Sequence, residues 1–128
     1  VKGALKRLDM LRTMPELKET LWRNTNALQS GLRNAGFDLG TTQTCITPVF
    51  LKGDIPEAMA MVNDLRENHG IFCSIVVYPV IPKGLIILRL IPTTTHTQED
   101  IDETITAFSA IREKLENGTY KKIAATLV

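Results

Sequence analysis

The side chain with the most chemistry to offer in this sequence is Arg89, set in the run Leu85-Ile86-Ile87-Leu88-Arg89-Leu90-Ile91. A guanidinium stays charged and presents a planar fork of donors, which a carboxylate matches through two parallel hydrogen bonds. If the run is a strand, alternate residues face opposite sides. Ile86, Leu88 and Leu90 then line one face, and Leu85, Ile87, Arg89 and Ile91 line the other. Both faces are apolar, yet the helices expected here suffice to cover only one. A missing domain or a partner is expected over the face that carries Arg89. Two readings of the arginine follow. It is either a structural charge, ion-paired or reaching solvent along its stem, or a carboxylate binder in a cleft between domains.

The other reactive residue types have plainer readings. Lys83 stands between Pro82 and Gly84 in a turn, whereas a lysine that forms a Schiff base wants a desolvated pocket. His96 directly precedes Thr97 and is expected to hold a strand-to-helix turn by a hydrogen bond. Cys45 and Cys73 lie far apart in apolar segments and read as small buried hydrophobes in a reducing compartment. With only His69 and His96 beside them, no zinc spacing can be assembled. No catalytic group and no metal site are therefore expected in this chain.

The elements that must position Arg89 can be read from periodicity and punctuation. Leu5, Leu8 and Leu11 give a first helix that Pro15 interrupts. It begins in mid-pattern, without a capping residue or methionine, as a chain trimmed from something longer would, although removal of a tag also accounts for the missing methionine. A second helix carries Leu17, Leu21, Leu28, Leu32 and Ala35 and stops at Gly36. A strand is expected over residues 45–51, a helix over 55–69 with Met59, Val62 and Leu65 inward, and strands over 72–78 and 85–91. Thr97-Gln98-Glu99-Asp100 resembles a capping box with Asp in place of Glu. It opens a last helix with Ile101, Ile105, Phe108, Ile111 and Leu115 on one face, closed by Asn117-Gly118. The remaining tail reads as loose. The fold class is α/β in the α+β sense: a small three- to four-stranded, mostly antiparallel sheet with helices on one face.

Size and charge exclude several roles. A length of 128 residues suits one domain, 1–128, and 44% hydrophobic content allows a core. Fifteen basic and fourteen acidic side chains leave a formal charge of +1, so no footprint for nucleic acid is expected. No apolar run approaches the roughly 20 residues of a membrane span. The amino end lacks the apolar stretch of a signal peptide, which makes a cytoplasmic location the expectation.

Taken in order, Tyr78-Pro79-Val80-Ile81-Pro82-Lys83-Gly84, Leu88-Arg89 and Thr95-His96-Thr97 resemble the small-domain signature of the α-oxoamine synthases. That family includes 2-amino-3-ketobutyrate coenzyme A ligase, 8-amino-7-oxononanoate synthase, serine palmitoyltransferase and 5-aminolevulinate synthase. Leu21-Trp22 with Asn24, Gly36-Phe37-Asp38, Thr47-Pro48-Val49 and Gly70-Ile71-Phe72 extend the resemblance from about Ala4 to Leu115. It implies the C-terminal small domain of a fold-type I pyridoxal-phosphate enzyme of the class I/II aminotransferase group. Such an enzyme is an acyltransferase that condenses glycine, alanine or serine with an acyl-coenzyme A thioester. The resemblance also implies a homodimer with active sites at the subunit boundary, and pyridoxal 5'-phosphate held by a lysine of a large domain absent here. This chain alone would then be inactive, and Arg89 would bind the substrate's α-carboxylate. Two departures touch that neighbourhood: Ile87 stands where many members have the first arginine of Arg-x-Arg, and Ile91-Pro92-Thr93-Thr94-Thr95 replaces a run of small residues and serine. The rival expectation is a free-standing ligand-sensing or regulatory module, since strand-helix-strand-strand-helix is a ferredoxin-like plait short of its last strand.

Overall fold

The computed structural model describes residues 1–126. Helices α1 (Lys2–Thr13) and α2 (Pro15–Asn34) come first, followed by β1 (Thr47–Lys52), α3 (Ile55–His69), β2 (Ser74–Val76), β3 (Leu85–Leu90), α4 (Gln98–Glu116) and α5 (Thr119–Thr126). The three strands form one antiparallel sheet in the order β1-β3-β2. A single bridge from Asp38 to Phe50 covers part of the β1 edge. The fold is the α+β architecture expected, with three strands of the three to four allowed.

The helix ends obey local rules. Asp54 caps α3 in a capping box with Glu57, and Thr97 caps α4 in the same way with Asp100. Short hydrogen bonds from the Thr97 N–H and hydroxyl hold the Asp100 carboxyl below its usual range, so this cap keeps its charge. Gly36 and Gly70 take positive φ values of 83° and 66° just past α2 and α3. These are conformations that a residue with a Cβ enters only at a cost.

One sheet face is sealed by the helices. Val49, Ile86 and Leu88 are fully buried and Leu90 nearly so, packed with Leu28, Leu32, Met61, Leu65, Phe108 and Ile111. Burying each such side chain contributes about 1.5–3 kcal/mol. The end of α2 is pinned by Phe37, which meets Phe108 edge-on at 6.0 Å and lies under the Arg112 guanidinium at 4.4 Å. Helix α1 buries no residue, and its Leu5, Leu8 and Leu11 stay exposed.

Three sequence expectations need correcting. On α3 the inward stripe is Ala58, Met61 and Leu65, while Met59 is 58% exposed. A 58-61-65 spacing of three then four follows the 3.6-residue turn, whereas 59-62-65 drifts around the helix. The strand expected over 72–78 pairs only at Ser74–Val76. On one side Ile71 N–H is tied to the Leu65 carbonyl, and on the other the chain turns through a Val80 N–H to Val77 carbonyl bond. The tail is not loose through 119–126. It forms α5, and Tyr120 is 1% exposed, with its hydroxyl 2.6 Å from Asp64 Oδ2.

Candidate functional site

β3 lies between its two neighbours, so Arg89 stands in the middle of the sheet, opposite Pro48 on β1 and Ser74 on β2. Alternation turns it to the face that no helix covers. Leu85, Arg89 and Ile91 are exposed, and Ile87, Phe50 and Val76 are only half-buried. Pro48 is tolerated in β1 because this strand is at the edge, where a missing N–H costs no ladder bond. The result is a cation set in an apolar patch.

The guanidinium makes one hydrogen bond to a described residue: Nε donates to Ser74 Oγ at 3.0 Å. Arg89 takes part in none of the ion pairs among the described residues. Of the two structural readings, the ion pair is therefore absent among the described residues, and the side chain lies at the surface. Among the described residues both Nη groups keep their donors, in the planar arrangement that matches a carboxylate end-on.

The turn that follows β3 is built from residues that the sequence reading saw only in part. His96 Nδ1 accepts the Thr93 N–H at 3.0 Å, the turn-holding role expected of it. Asn24, 4% exposed on α2, donates to the carbonyls of Thr93 at 3.0 Å and His96 at 2.8 Å. Gln29 on the same helix donates to the Thr44 carbonyl at 2.9 Å and to Thr47 Oγ1 at 3.1 Å, fixing the start of β1. Polar residues on an otherwise leucine-bearing helix face were the available signal, since a buried amide must find partners. A cleft of about 430 Å³ opens beside this turn, lined by Leu28, His69, Phe72, Leu90, Ile91 and His96 among others. It begins one residue beyond Arg89.

The remaining candidates fall away from the site. Lys83 is exposed, its ammonium 4.9 Å from the centre of the Tyr78 ring. Cys73 is buried, and burial pushes its thiol up to about 11, so it is an inert hydrophobe as expected. Cys45 is only half-buried. Among the described residues no cluster of His, Cys, Asp or Glu could hold a metal, and no helix is long and apolar enough to cross a membrane. Nor do the lysines fit a Schiff base with pyridoxal phosphate here: all but Lys114, Lys83 among them, are exposed, and Lys114 is bound to Asp64 at 2.7 Å.

No protein-family model matches the chain. Over 127 residues, 99% of its length, it is 69% identical to a cysteate-C-fatty acyltransferase of Capnocytophaga ochracea. It is 37% identical over 113 residues, 88% of its length, to an 8-amino-7-oxononanoate synthase of Symbiobacterium thermophilum. The matched stretches make up 30% and 28% of those relatives, so the chain spans less than a third of either. Among solved structures, it superposes on a serine palmitoyltransferase from S. paucimobilis with bound PLP at a TM-score of 0.72 and 32% identity, covering 84% of this chain and 27% of that one. In sequence and in fold the chain is thus similar to the C-terminal part of pyridoxal-phosphate enzymes of the α-oxoamine synthase family.

Proposed function

We propose that this chain is the C-terminal small domain of a longer pyridoxal-phosphate acyltransferase, and that Arg89 receives the α-carboxylate of its amino-acid substrate. The observation that carries this reading is the state of Arg89. It sits in mid-sheet on the uncovered face, with its Nη donors unused by any described residue. The large domain supplies the cover and the cofactor lysine. Pyridoxal phosphate, when bound there, serves as an electron sink at the amino acid's α-carbon. The residues of this chain contribute orientation: a bidentate guanidinium fixes the carboxylate plane and thereby the α-carbon next to it.

The substrate pair is an amino acid and an acyl-coenzyme A thioester. The relative with 69% identity is named for cysteate and a fatty acyl group, which favours these over the glycine, alanine or serine of the wider family. The assembly is a cytoplasmic homodimer with the site at the subunit boundary, and the 128-residue chain alone has no turnover. The rival sensing-module reading shares the β1-β3-β2 topology, so topology does not favour it, while the named acyltransferase and synthase relatives favour the enzyme.

The test is Arg89→Ala in the full-length protein. Removing one partner of a desolvated charge pair costs roughly 2–5 kcal/mol, about 30-fold or more in the amino-acid KM. The thioester KM should hardly move. Arg89→Lys should recover little, because a point charge cannot reproduce the fork. An amino-acid KM equal to that of the parent enzyme would remove the carboxylate role.

A further inference from the structure

The geometry points to Ser74 as the positioning residue that aims Arg89 at the substrate carboxylate, an inference that rests on the role proposed above for the arginine. Arginine can take a carboxylate side-on, through Nε and one Nη, or end-on, through both Nη groups. Here Nε is already committed to Ser74 Oγ at 3.0 Å. The side-on edge is thereby closed and the end-on edge left open. One hydroxyl thus selects between two docking modes that would present the α-carbon at different places.

The placement of that hydroxyl is a matter of register. Ser74 and Arg89 are direct partners across the β2–β3 ladder, where neighbouring side chains stand about 5 Å apart. The next pair on the same face is Val76 with Ile87, and the β1 partner of Arg89 is Pro48. None of these three can accept a hydrogen bond through its side chain. Ser74 is the adjacent cross-strand residue on this face that can.

Ser74 Oγ has no other hydrogen bond among the described residues, so holding the arginine is the whole of its visible work. A half-buried serine in a three-residue strand adds little to stability by itself. Its hydroxyl hydrogen also stays unused, because Oγ accepts from Nε. That hydrogen can turn toward the same anion once the face is covered.

The experiment is steady-state kinetics of the full-length enzyme with Ser74→Ala, Ser74→Thr and Arg89→Ala, cysteate and a fatty acyl thioester being the substrates. Ser74→Ala should raise the amino-acid KM about fivefold, the equivalent of one ordinary hydrogen bond. Its kcat should change less than its KM, and the thioester KM and the melting temperature should hold. Ser74→Thr keeps the hydroxyl on a residue suited to strands and should restore the parent KM. If Ser74→Ala matches the parent while Arg89→Ala loses the amino acid, Ser74 has no positioning role and the carboxylate reading survives. If Ser74→Ala and Ser74→Thr fall together with a lowered melting temperature, the serine is merely structural. If Arg89→Ala is itself without effect, the reading beneath this one is gone, and Ser74 goes with it.

Discussion

Asp64 and Arg89 are both charges held by partners distant in sequence, and they are finished to very different degrees. Asp64 lies at the junction of α3, α4 and α5, and is 9% exposed. Its Oδ1 accepts from Asn68 at 2.6 Å, and its Oδ2 accepts from Lys114 at 2.7 Å and the Tyr120 hydroxyl at 2.6 Å. Burial alone would raise its pKa, but these three donors and the Lys114 charge outweigh it and bring the carboxyl to about 2. Among the described residues Arg89 has a single neutral partner, Ser74, and an uncovered face. A charge completed by its own domain contributes to holding that domain together. One left with unused donors contributes little to the fold and is available to a ligand or to covering protein. The contrast separates a stability site from a recognition site, and it can be attacked from either end.

The largest stability effect should come from the finished side. Tyr120→Ala deletes a ring that is 1% exposed together with the hydroxyl on Asp64. Losses of about 3–5 kcal/mol are usual for emptying a buried aromatic site, and urea denaturation would measure it. Tyr120→Phe keeps the ring and should cost only about 1 kcal/mol, since Asp64 retains Asn68 and Lys114. A Tyr120→Ala loss below 1 kcal/mol would mean that α5 unfolds apart from the core, and that the Asp64 cluster is less finished than its distances suggest.

Acid titration gives the next effect in size. Asp64 has a folded pKa of about 2 against an ordinary value of 3.8. A depressed carboxyl contributes stability that is fully present above the unfolded pKa and is lost as pH falls through the folded one. The contribution should therefore be intact at pH 5 and vanish between about pH 4 and pH 2, with a size of about 2 kcal/mol. Asp64→Asn should flatten this limb of a stability-against-pH curve. Arg89→Ala should leave it unchanged, because no described carboxylate depends on that arginine.

The two sites also differ in how far the sequence reveals them. Arg89 stands out because a permanent cation breaks an apolar strand pattern, and alternation alone assigns its face. The inner stripe Ile86, Leu88 and Leu90 and the Thr97–Asp100 cap are legible for the same reason: period and capping are local. The Asp64 cluster is not local. Tyr120 reaches Asp64 across 56 residues, and an eight-residue helix with two adjacent lysines carries no periodic signal strong enough to announce itself. Gln29 was hidden, and Asn24 showed only as part of a resemblance with no role attached, because polar residues on a helix read as solvent-facing until a buried turn is found to need them. Ser74 was silent for a third reason. A serine has no pattern, and it acquires meaning only when register sets it opposite Arg89.

The smallest effect should be found on the unfinished side, and its smallness is the point. Phe72 is 81% exposed at the edge of the cleft that opens beyond Arg89. An exposed side chain that touches little can be replaced with a change within about 0.5 kcal/mol. Phe72→Ser should therefore leave unfolding of the 128-residue chain almost unchanged. In the full-length protein the same substitution should cost more than about 1 kcal/mol, because covered aromatic area is removed from water. The paired measurement asks whether the rest of the protein lies against this face. A loss confined to the full-length protein puts the cover there, over the cleft that Phe72 edges. Equal, negligible losses in both would leave Phe72 solvated in the whole enzyme and move the domain boundary elsewhere. A large loss in the short chain would mean that the aromatic is packed already, and that this edge of the sheet is finished after all.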